Sequence, residues 1–165
     1  MDNPAPSIAL AITEPVAADF VKLTFRALYM RRAGPGSLEM TVPGRPSDQL
    51  GTTVITDSPV YYGRGADARL VARIQGVTVL IGNTNTLITL VFKTNRIKGS
   101  TLVINGMVTD GSHEWAIYGG TGVFAMATGV MNRRNLAGGS NDGNSDELAL
   151  QCFCPVCGAS QQPIS

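Results

Sequence analysis

Residues 118–129, which read Y-G-G-T-G-V-F-A-M-A-T-G, constrain the fold of this chain more than any other segment. Three glycines fall within four positions, and an apolar, strand-like stretch follows at once. Glycine at this density marks backbone that turns with positive φ or passes close to another segment. Such a turn shapes a reaction site, shapes a binding pocket or closes a sheet. A phosphate-binding loop is excluded, because no Lys-Ser/Thr pair follows the glycines and the next element is a predicted strand.

Turn-forming residues recur along the whole chain. Its 165 residues include 19 glycines and 9 prolines, and the apolar runs between them are short and rich in Val, Ile, Thr and Leu. This pattern predicts an all-β domain, and the spacing favours an antiparallel meander closed into a barrel. The strands are expected at residues 21–30, 52–57, 70–80, 87–93, 100–104, 113–118 and 123–131, with a short one near 37–42 inside a loop of residues 31–50.

The composition divides the chain into three parts. Residues 1–19 are interrupted by proline and predict an extended lead-in, and residues 20–131 form the expected barrel domain. Residues 132–165 are expected to be a flexible linker or tail, because residues 135–146 are Gly, Asn, Ser and Asp with almost no apolar side chains. A linker at this place indicates that the chain is one domain of a longer protein.

Two of the predicted strands are apolar on both faces. Residues 70–80 carry Val, Leu or Ile side chains at alternate positions on either side, and residues 86–94 repeat the pattern. A half-exposed antiparallel strand has a cleaner polar face, so something is expected to cover the second one. A second subunit is the favoured cover, since monomers rarely expose apolar patches of that size, and a terminal segment or helix is the alternative.

Charge and hydropathy exclude two classes of partner, nucleic acid and a membrane. Net charge is +1 and charged residues make up 15% of the chain, which does not suit a nucleic-acid binder with clustered Lys and Arg. No apolar stretch approaches the roughly 20 residues of a membrane span.

Asp2 stands where a signal peptide has basic residues, and the sequence contains no Asn-x-Ser/Thr sequon. A cytoplasmic location is therefore expected, where the three cysteines need not form disulfides.

Polar residues on two neighbouring strands are candidates for a ligand pocket. Asp57 ends the second strand, and Arg73 and Gln75 share one face of the third. If these faces point inward, the three side chains make a polar pocket in an apolar barrel; the alternative is that they face solvent. Tyr61 and Tyr62 follow in a predicted loop, where they suit stacking on a sugar ring or a phenol, or ordinary packing on the barrel rim.

Two further groups could carry chemistry. His113, the only histidine, lies near Asp110 and beside Glu114, which suits an acid/base group. A surface or pocket-lining role is favoured, because no nucleophile motif accompanies it, and no catalytic residue is predicted. The C-F-C-P-V-C-G segment resembles one zinc knuckle, but a second knuckle is missing, so no metal site is predicted and a reduced tail is favoured. Its thiols are Cys152, Cys154 and Cys157.

Four segments in the same order resemble the dirigent protein family. Residues 51–60 are similar to the family's strand that ends in acidic residues and proline. Residues 72–76, which read A-R-I-Q-G, are similar to its A/G-R-A-Q-G segment. Residues 98–102, which read K-G-S-T-L, are similar to its N-G-S-T-L segment. Residues 118–129 resemble its V-V-G-G-T-G-x-F-x-x-A-x-G signature, carried here by Gly119, Gly120, Thr121, Gly122, Phe124 and Gly129.

The resemblance implies a fold and a role. Family members are eight-stranded antiparallel barrels of the dirigent and allene-oxide-cyclase type, and they form homotrimers. They are not catalysts and have no cofactor: they hold phenoxy radicals, made by a separate oxidase, so that coupling is stereoselective.

Several positions depart from the family pattern. Where members commonly have paired acids before the proline, this chain has Asp57 and then Ser58; where lignan-forming members have an arginine preceded by an aspartate, it has His113, with Asp110 loosely in place. With the missing leader and sequons, these departures resemble the intracellular dirigent domains that grasses join to a jacalin-type lectin domain.

Three functions follow as hypotheses. The favoured one is a binding module of a plant defence and stress protein that takes a small saccharide in its barrel pocket. The second is a scaffold for phenoxy coupling with a phenolic ligand, and the third is a structural trimeriser that raises the avidity of an attached lectin.

Overall fold

The computed structural model describes residues 19–108, 114–136 and 145–155, and its elements are almost entirely strands. No helix among these residues is long and apolar enough to cross a membrane. Two short 3-10 turns lie at Asn95–Ile97 and Gly122–Phe124. The strands are β1 Phe20–Arg31, β2 Leu38–Val42, β3 Thr53–Tyr62, β4 Arg69–Ile81, β5 Asn83–Phe92, β6 Thr101–Val108, β7 Glu114–Thr121, β8 Thr128–Asn135 and β9 Ser145–Pro155.

The sheet closes on itself. Its order is β1-β9-β8-β7-β6-β5-β4-β3-β2, every pairing is antiparallel, and β1 also pairs with β3. That last pairing brings Leu28 opposite Tyr62 and Met30 opposite Val60. The closed ring contains eight strands, β1 and β3 to β9, while β2 pairs along the first half of β3. The predicted all-β, eight-stranded antiparallel barrel is confirmed.

Strand β9 corrects the predicted domain boundary. It lies between β1 and β8, with Phe153 opposite both Lys22 and Thr128. A domain ending at residue 131 and a flexible tail from residue 132 are therefore wrong for residues 132–135, which belong to β8, and for residues 145–155. Alternate side chains of β9 are buried, as the period-2 pattern of its sequence requires, and cysteine fills the apolar positions at its end. The buried residues are Asp146, Leu148, Leu150, Cys152 and Cys154. The rest of the predicted tail at 137–144 and 156–165, and the predicted lead-in up to residue 18, lie outside the described residues.

One end of the barrel interior is filled by three aromatic rings. The centroids of Phe92 and Phe124 are 4.8 Å apart, and Phe25 lies 5.6 Å from the first and 6.0 Å from the second. Phe92 and Phe124 are almost fully buried. This cluster fills that end of the interior among the described residues.

A bulge in β1 changes which of its side chains face inward. The pairing with β9 shifts between Phe25 and Leu28, and Ala27 has a φ of 56°. Phe25 packs against the core before the bulge, whereas Leu28 and Met30 are buried after it. Simple alternation from Phe25 would bring Tyr29 to the same face; the extra residue reverses the alternation, so Leu28 and Met30 face inward instead.

The glycine run closes the sheet at the end of β7. Gly119 pairs with Val103 and Ile117 with Ile104, which leaves Tyr118 as an exposed bulge residue between them. A Cβ on Gly120 would lie 2.4 Å from the carbonyl oxygen of Thr101, and Gly122 turns the chain with a φ of 64°. Of the three roles open to this segment, sheet closure is the one that these contacts explain.

The outer face of the barrel remains apolar in the single chain. Met40, Ile55 and Leu87 are exposed on strands β2, β3 and β5. These side chains lie on the face for which a covering subunit is expected from the sequence. The homotrimer stays a prediction.

Adjacent glycines of the signature give a matched test of the close approach. We expect Gly120→Ala to lower the free energy of unfolding by about 2–4 kcal/mol, because backbone oxygens cannot move away from the new methyl group. Gly119→Ala should change stability by about 0.5 kcal/mol or less, since no atom lies within 4 Å of the Cβ position there. Denaturant unfolding of both variants checks this, and equal losses would contradict it.

The thiols inside the barrel should be unreactive. Cys152 and Cys154 are buried and free; burial, followed by the charge and hydrogen bond of Cys154, raises the pKa of Cys152 to about 12. Burial also raises the pKa of Cys154. Because thiolates are the reactive form, we expect iodoacetamide to leave both residues unmodified in the native protein and to label both in denaturant. Peptide mass spectrometry measures this; rapid native labelling of either residue would show that β9 is not packed as described.

Candidate ligand-binding site in the barrel

A cavity occupies the barrel end opposite the phenylalanine cluster. Its volume is about 260 Å³, and its wall is formed by inward-facing residues of β1 to β9 together with Arg32, the residue after β1. More than half of the wall is apolar, including Ile74, Ile88, Met131 and Leu148. Pockets of this kind, apolar with a few placed polar groups, are typical of small-molecule sites.

Threonines make one side of the cavity polar. They occupy inward positions of β3, β4 and β5, where strand alternation brings every second residue to the interior. Thr78 and Thr86 share a hydrogen bond of 3.0 Å between their hydroxyl oxygens, across neighbouring strands. A hydroxyl both donates and accepts, so this side can adapt to either kind of ligand group. The four threonines are Thr56, Thr78, Thr84 and Thr86.

An arginine at the cavity is held by a buried carboxylate. Arg133 of β8 donates to Asp146 of β9 from Nε at 2.8 Å and from Nη2 at 2.7 Å. Asn135 donates to the other oxygen of Asp146 at 2.9 Å, and the Asp146 side chain is fully buried. The two N–H groups of Arg133 that contact the buried Asp146 carboxylate hold the guanidinium in place, and the carboxylate neutralises its positive charge.

Trp115 of β7 lies under that guanidinium. The Cζ atom of Arg133 is 5.5 Å from the Trp115 ring centroid, and Trp115 is only 4% exposed. Gly106 of β6 makes room for the indole, since a Cβ there would lie 2.1 Å from Trp115 Cδ1. The indole Nε1–H is buried and has no hydrogen-bond partner in the described parts of the chain. An unpaired buried donor costs about 1–3 kcal/mol, so such groups are rare and need an explanation.

Two more charged side chains line the cavity at its rim. Arg32 is half-buried, whereas Glu39 of β2 is exposed. Within the described ranges, the salt bridges join other residues, and Arg32 and Glu39 are not paired with each other. The rim therefore combines a partly desolvated cation with a solvated carboxylate.

Asp57, Arg73 and Gln75 come together as predicted from the sequence, but on the outside of the barrel. Arg73 Nε donates to Asp57 at 2.6 Å, and Gln75 Nε2 donates to its other oxygen at 3.0 Å. The interpretation as an inward polar pocket is corrected by strand alternation: Ser58 is buried at 1% exposure, so Asp57 beside it faces outward. Arg73 Nη2 also donates to the Gly36 carbonyl at 2.8 Å, which ties the loop before β2 to β4.

Both tyrosines lie outside the cavity wall. They belong to the end of β3, not to a loop, because the strand continues through Pro59. The Arg31 guanidinium covers Tyr61, with Cζ 4.2 Å from the ring centroid, and Tyr62 is 54% exposed. Asp110 and His113 lie outside the described residues, so their place relative to the cavity stays a prediction.

Sequence reasoning missed Trp115, Arg133 and Asp146. Trp115 and Ile117 alternate with Ala116 in a predicted strand, which was a usable signal for an inward tryptophan. Arg133 and Asp146 both fall within residues 132–165, which the sequence predicts to be a flexible linker or tail. Only the pairing of β8 with β9 places these two side chains together.

Metal binding has no support in the described residues. No group of three or more His, Cys, Asp or Glu side chains among them could hold a metal ion. Cys152 and Cys154 are free thiols buried in the core, and Cys157 lies outside the described residues.

Comparison with known proteins identifies relatives over most of the chain. The model of the family described as dirigent-like protein matches residues 27–151. Pterocarpan synthase 1 of Glycyrrhiza echinata is 35% identical over 87 residues, covering 48% of this chain and 46% of that protein. Pterocarpan synthase 1 of Glycine max is 32% identical over 100 residues, covering 55% and 54%. The chain thus spans about half the length of the curated relatives it matches.

Solved structures share the barrel. The pterocarpan synthase dirigent protein GePTS1 aligns with a TM-score of 0.63 at 25% identity, over 90% of this chain and 99% of its own. PsPTS1, of the same description, aligns with a TM-score of 0.60 at 26% identity, over 82% and 96%. Pyocyanin demethylase, at 18% identity and a TM-score of 0.52 over 80% and 99%, shares the fold alone.

The outer cluster predicts a loss of stability in acid. Burial by itself would raise the pKa of Asp57, but the hydrogen bonds from Arg73 and Gln75 and the charges of Arg73 and Lys93 hold it below its ordinary value of 3.8. A carboxyl whose pKa is lower in the folded state stabilises the protein above 3.8, and this stability is lost as the pH falls through the folded pKa.

We expect Asp57→Asn to lower the free energy of unfolding at neutral pH by about 0.5–1 kcal/mol, because the cluster is partly solvated. The variant should also lose less stability than the wild type between neutral and strongly acidic pH. Denaturant unfolding at a series of pH values measures both effects. If the free energy of unfolding falls equally with decreasing pH in both proteins, the role of Asp57 is contradicted.

Proposed function

Because the chain belongs to the dirigent-like protein family, we propose that its barrel binds a small aromatic ligand of the phenolic class and holds it in one orientation. The cavity is the observation that carries this proposal. It has about 260 Å³ of space, apolar walls from several strands and a polar side of threonines. A planar ring suits the apolar walls, while its oxygen substituents can bond to the hydroxyl groups.

The proposed role is positioning, not bond making. A ligand held between rigid strands loses most of its orientational freedom, so a reactive form of it reacts from one face. The reactive species would come from a separate oxidant, as the family resemblance implies. The relatives named pterocarpan synthase support an aromatic ligand and a stereoselective outcome.

The geometry favours a phenolic ligand over the saccharide expected from the sequence. Sugar recognition commonly uses an open aromatic face, and Trp115 offers none because it is 4% exposed and lies under Arg133. Tyr61 and Tyr62, the other candidates for stacking, lie outside the cavity wall. We therefore propose that the barrel binds a phenol, and we do not propose saccharide binding or an attached lectin.

Filling the cavity should weaken binding without unfolding the barrel. Thr56 lines the cavity, whereas Thr53 lies on the other face of the same strand. We expect Thr56→Phe to raise the Kd for a phenolic probe such as coniferyl alcohol at least about tenfold, equivalent to about 1.4 kcal/mol. Thr53→Phe is the matched control and should leave the Kd unchanged. Titration calorimetry measures both, with thermal unfolding as the check on folding.

The directing role needs its own measurement. Coniferyl alcohol is oxidised by a laccase in the presence of the protein, and the dimeric products are separated on a chiral column. An enantiomeric excess that disappears with Thr56→Phe and persists with Thr53→Phe supports the proposal. A racemic product in the presence of protein that binds the phenol would reduce the role to binding alone.

A further inference from the structure

The cavity rim carries a cation whose charge is not balanced by the described residues. Arg32 lines the cavity and is half-buried, and the ion pairs of the described ranges do not include it. Arg133, the other arginine of the wall, already has Asp146 as its partner. Arg31, one residue earlier, points to the outer side and lies over the ring of Tyr61. Arg32 is thus the guanidinium left for a ligand.

Two donor groups of the wall, the Arg32 guanidinium and the Trp115 indole N–H, have no partner among the described residues. A guanidinium has five N–H groups and no acceptor, and an indole has one N–H and no acceptor. Trp115 Nε1–H is buried and unpartnered among the described residues, and Trp115 lines the same cavity as Arg32. That N–H is too buried to be reached from the cavity, so the group left for the acceptor oxygens of a ligand is the Arg32 guanidinium.

Charge decides which acceptor fits best. A guanidinium forms two parallel hydrogen bonds with a carboxylate, and this geometry is stronger than a bond to a neutral oxygen. Glu39 is the competing charge at the rim, but its exposure keeps it hydrated, so it gains less from a ligand than the partly desolvated Arg32. Asp146 is saturated by Arg133 and Asn135. The balance favours an anionic ligand.

We propose that the aromatic ligand of this barrel carries a carboxylate that binds Arg32 at the cavity rim. This inference rests on the proposed binding of a phenolic ligand and adds a selectivity to it. The protein then prefers an aromatic carboxylic acid to the alcohol with the same carbon skeleton. The ring lies among the apolar walls, and the carboxylate lies at the rim, where solvent still reaches it.

A pair of matched probes tests the preference. 4-Hydroxycinnamate and 4-hydroxycinnamyl alcohol differ only in the end group, and the acid is ionised at neutral pH. We expect the wild-type protein to bind the acid at least about tenfold more tightly, a preference that weakens with added salt because the contact is at a solvated rim. Titration calorimetry gives both dissociation constants.

Three variants locate the contact. Arg32→Gln should remove the preference for the acid and leave the Kd of the alcohol near the wild-type value. Arg31→Gln is the matched control, because this arginine faces the outer side, and it should retain the full preference. Glu39→Gln should strengthen binding of the acid, because it removes a like charge from the same rim.

The single tryptophan shows where the probes bind. The chain has one Trp, so its indole N–H gives one side-chain signal in a ¹⁵N–¹H spectrum. We expect both probes to shift this signal, since both occupy the cavity that Trp115 lines. This readout is independent of any coupling reaction.

The outcomes separate the two proposals. Equal affinity for acid and alcohol, or an unchanged preference in Arg32→Gln, overturns the carboxylate inference and leaves phenol binding intact. Binding of the acid without any shift of the Trp115 signal also overturns it, because the carboxylate would then bind elsewhere. Binding of neither probe overturns both proposals.

Discussion

Closure of the sheet by the pairing of β1 with β3 is the constraint on which the remaining structure depends. Without it, two long strands would expose unpaired backbone groups, and the interior would not be enclosed. The register brings Met30 opposite Val60, so both buried side chains enter the same core. Strand β9 is part of this closure, because it fills the place between β1 and β8. A chain ending at residue 131 would leave that place open.

The closed barrel gives its two ends different properties. Three phenylalanine rings in tilted and edge-on contact fill one end, while the other end keeps a cavity whose walls combine threonine hydroxyls, apolar side chains and arginines. The buried charge at this end is balanced locally, since Asp146 accepts from Arg133 and from Asn135. The ligand that we propose would therefore meet a wall in which the buried charges are already paired, and this favours a single bound orientation.

The position before Pro59 shows how this chain differs from the family pattern. Of the two positions where members commonly carry acids, Ser58 faces the interior and is buried, whereas Asp57 faces outward and binds Arg73 and Gln75. The acid that remains thus stabilises the outer surface, and the interior position is neutral. Arg32 has no ion-pair partner among the described residues, and the ligand that we propose would supply the negative charge.

Sequence alone determined the fold class, most strands and the presence of a tight turn at the glycine run, because these follow from period-2 patterns and from backbone conformations that glycine favours. That this turn closes the sheet was decided by its contacts. Sequence also brought Asp57, Arg73 and Gln75 together, since neighbouring strands in a meander pair in register. It could not decide which face of each strand is inside, because one bulge, as at Ala27, reverses the alternation. The cavity itself depends on contacts between distant residues: Trp115 over Gly106, and Arg133 on Asp146. Only the closed tertiary structure decides these contacts, because closure of the barrel, and not local sequence, sets the register of β9 with its neighbours.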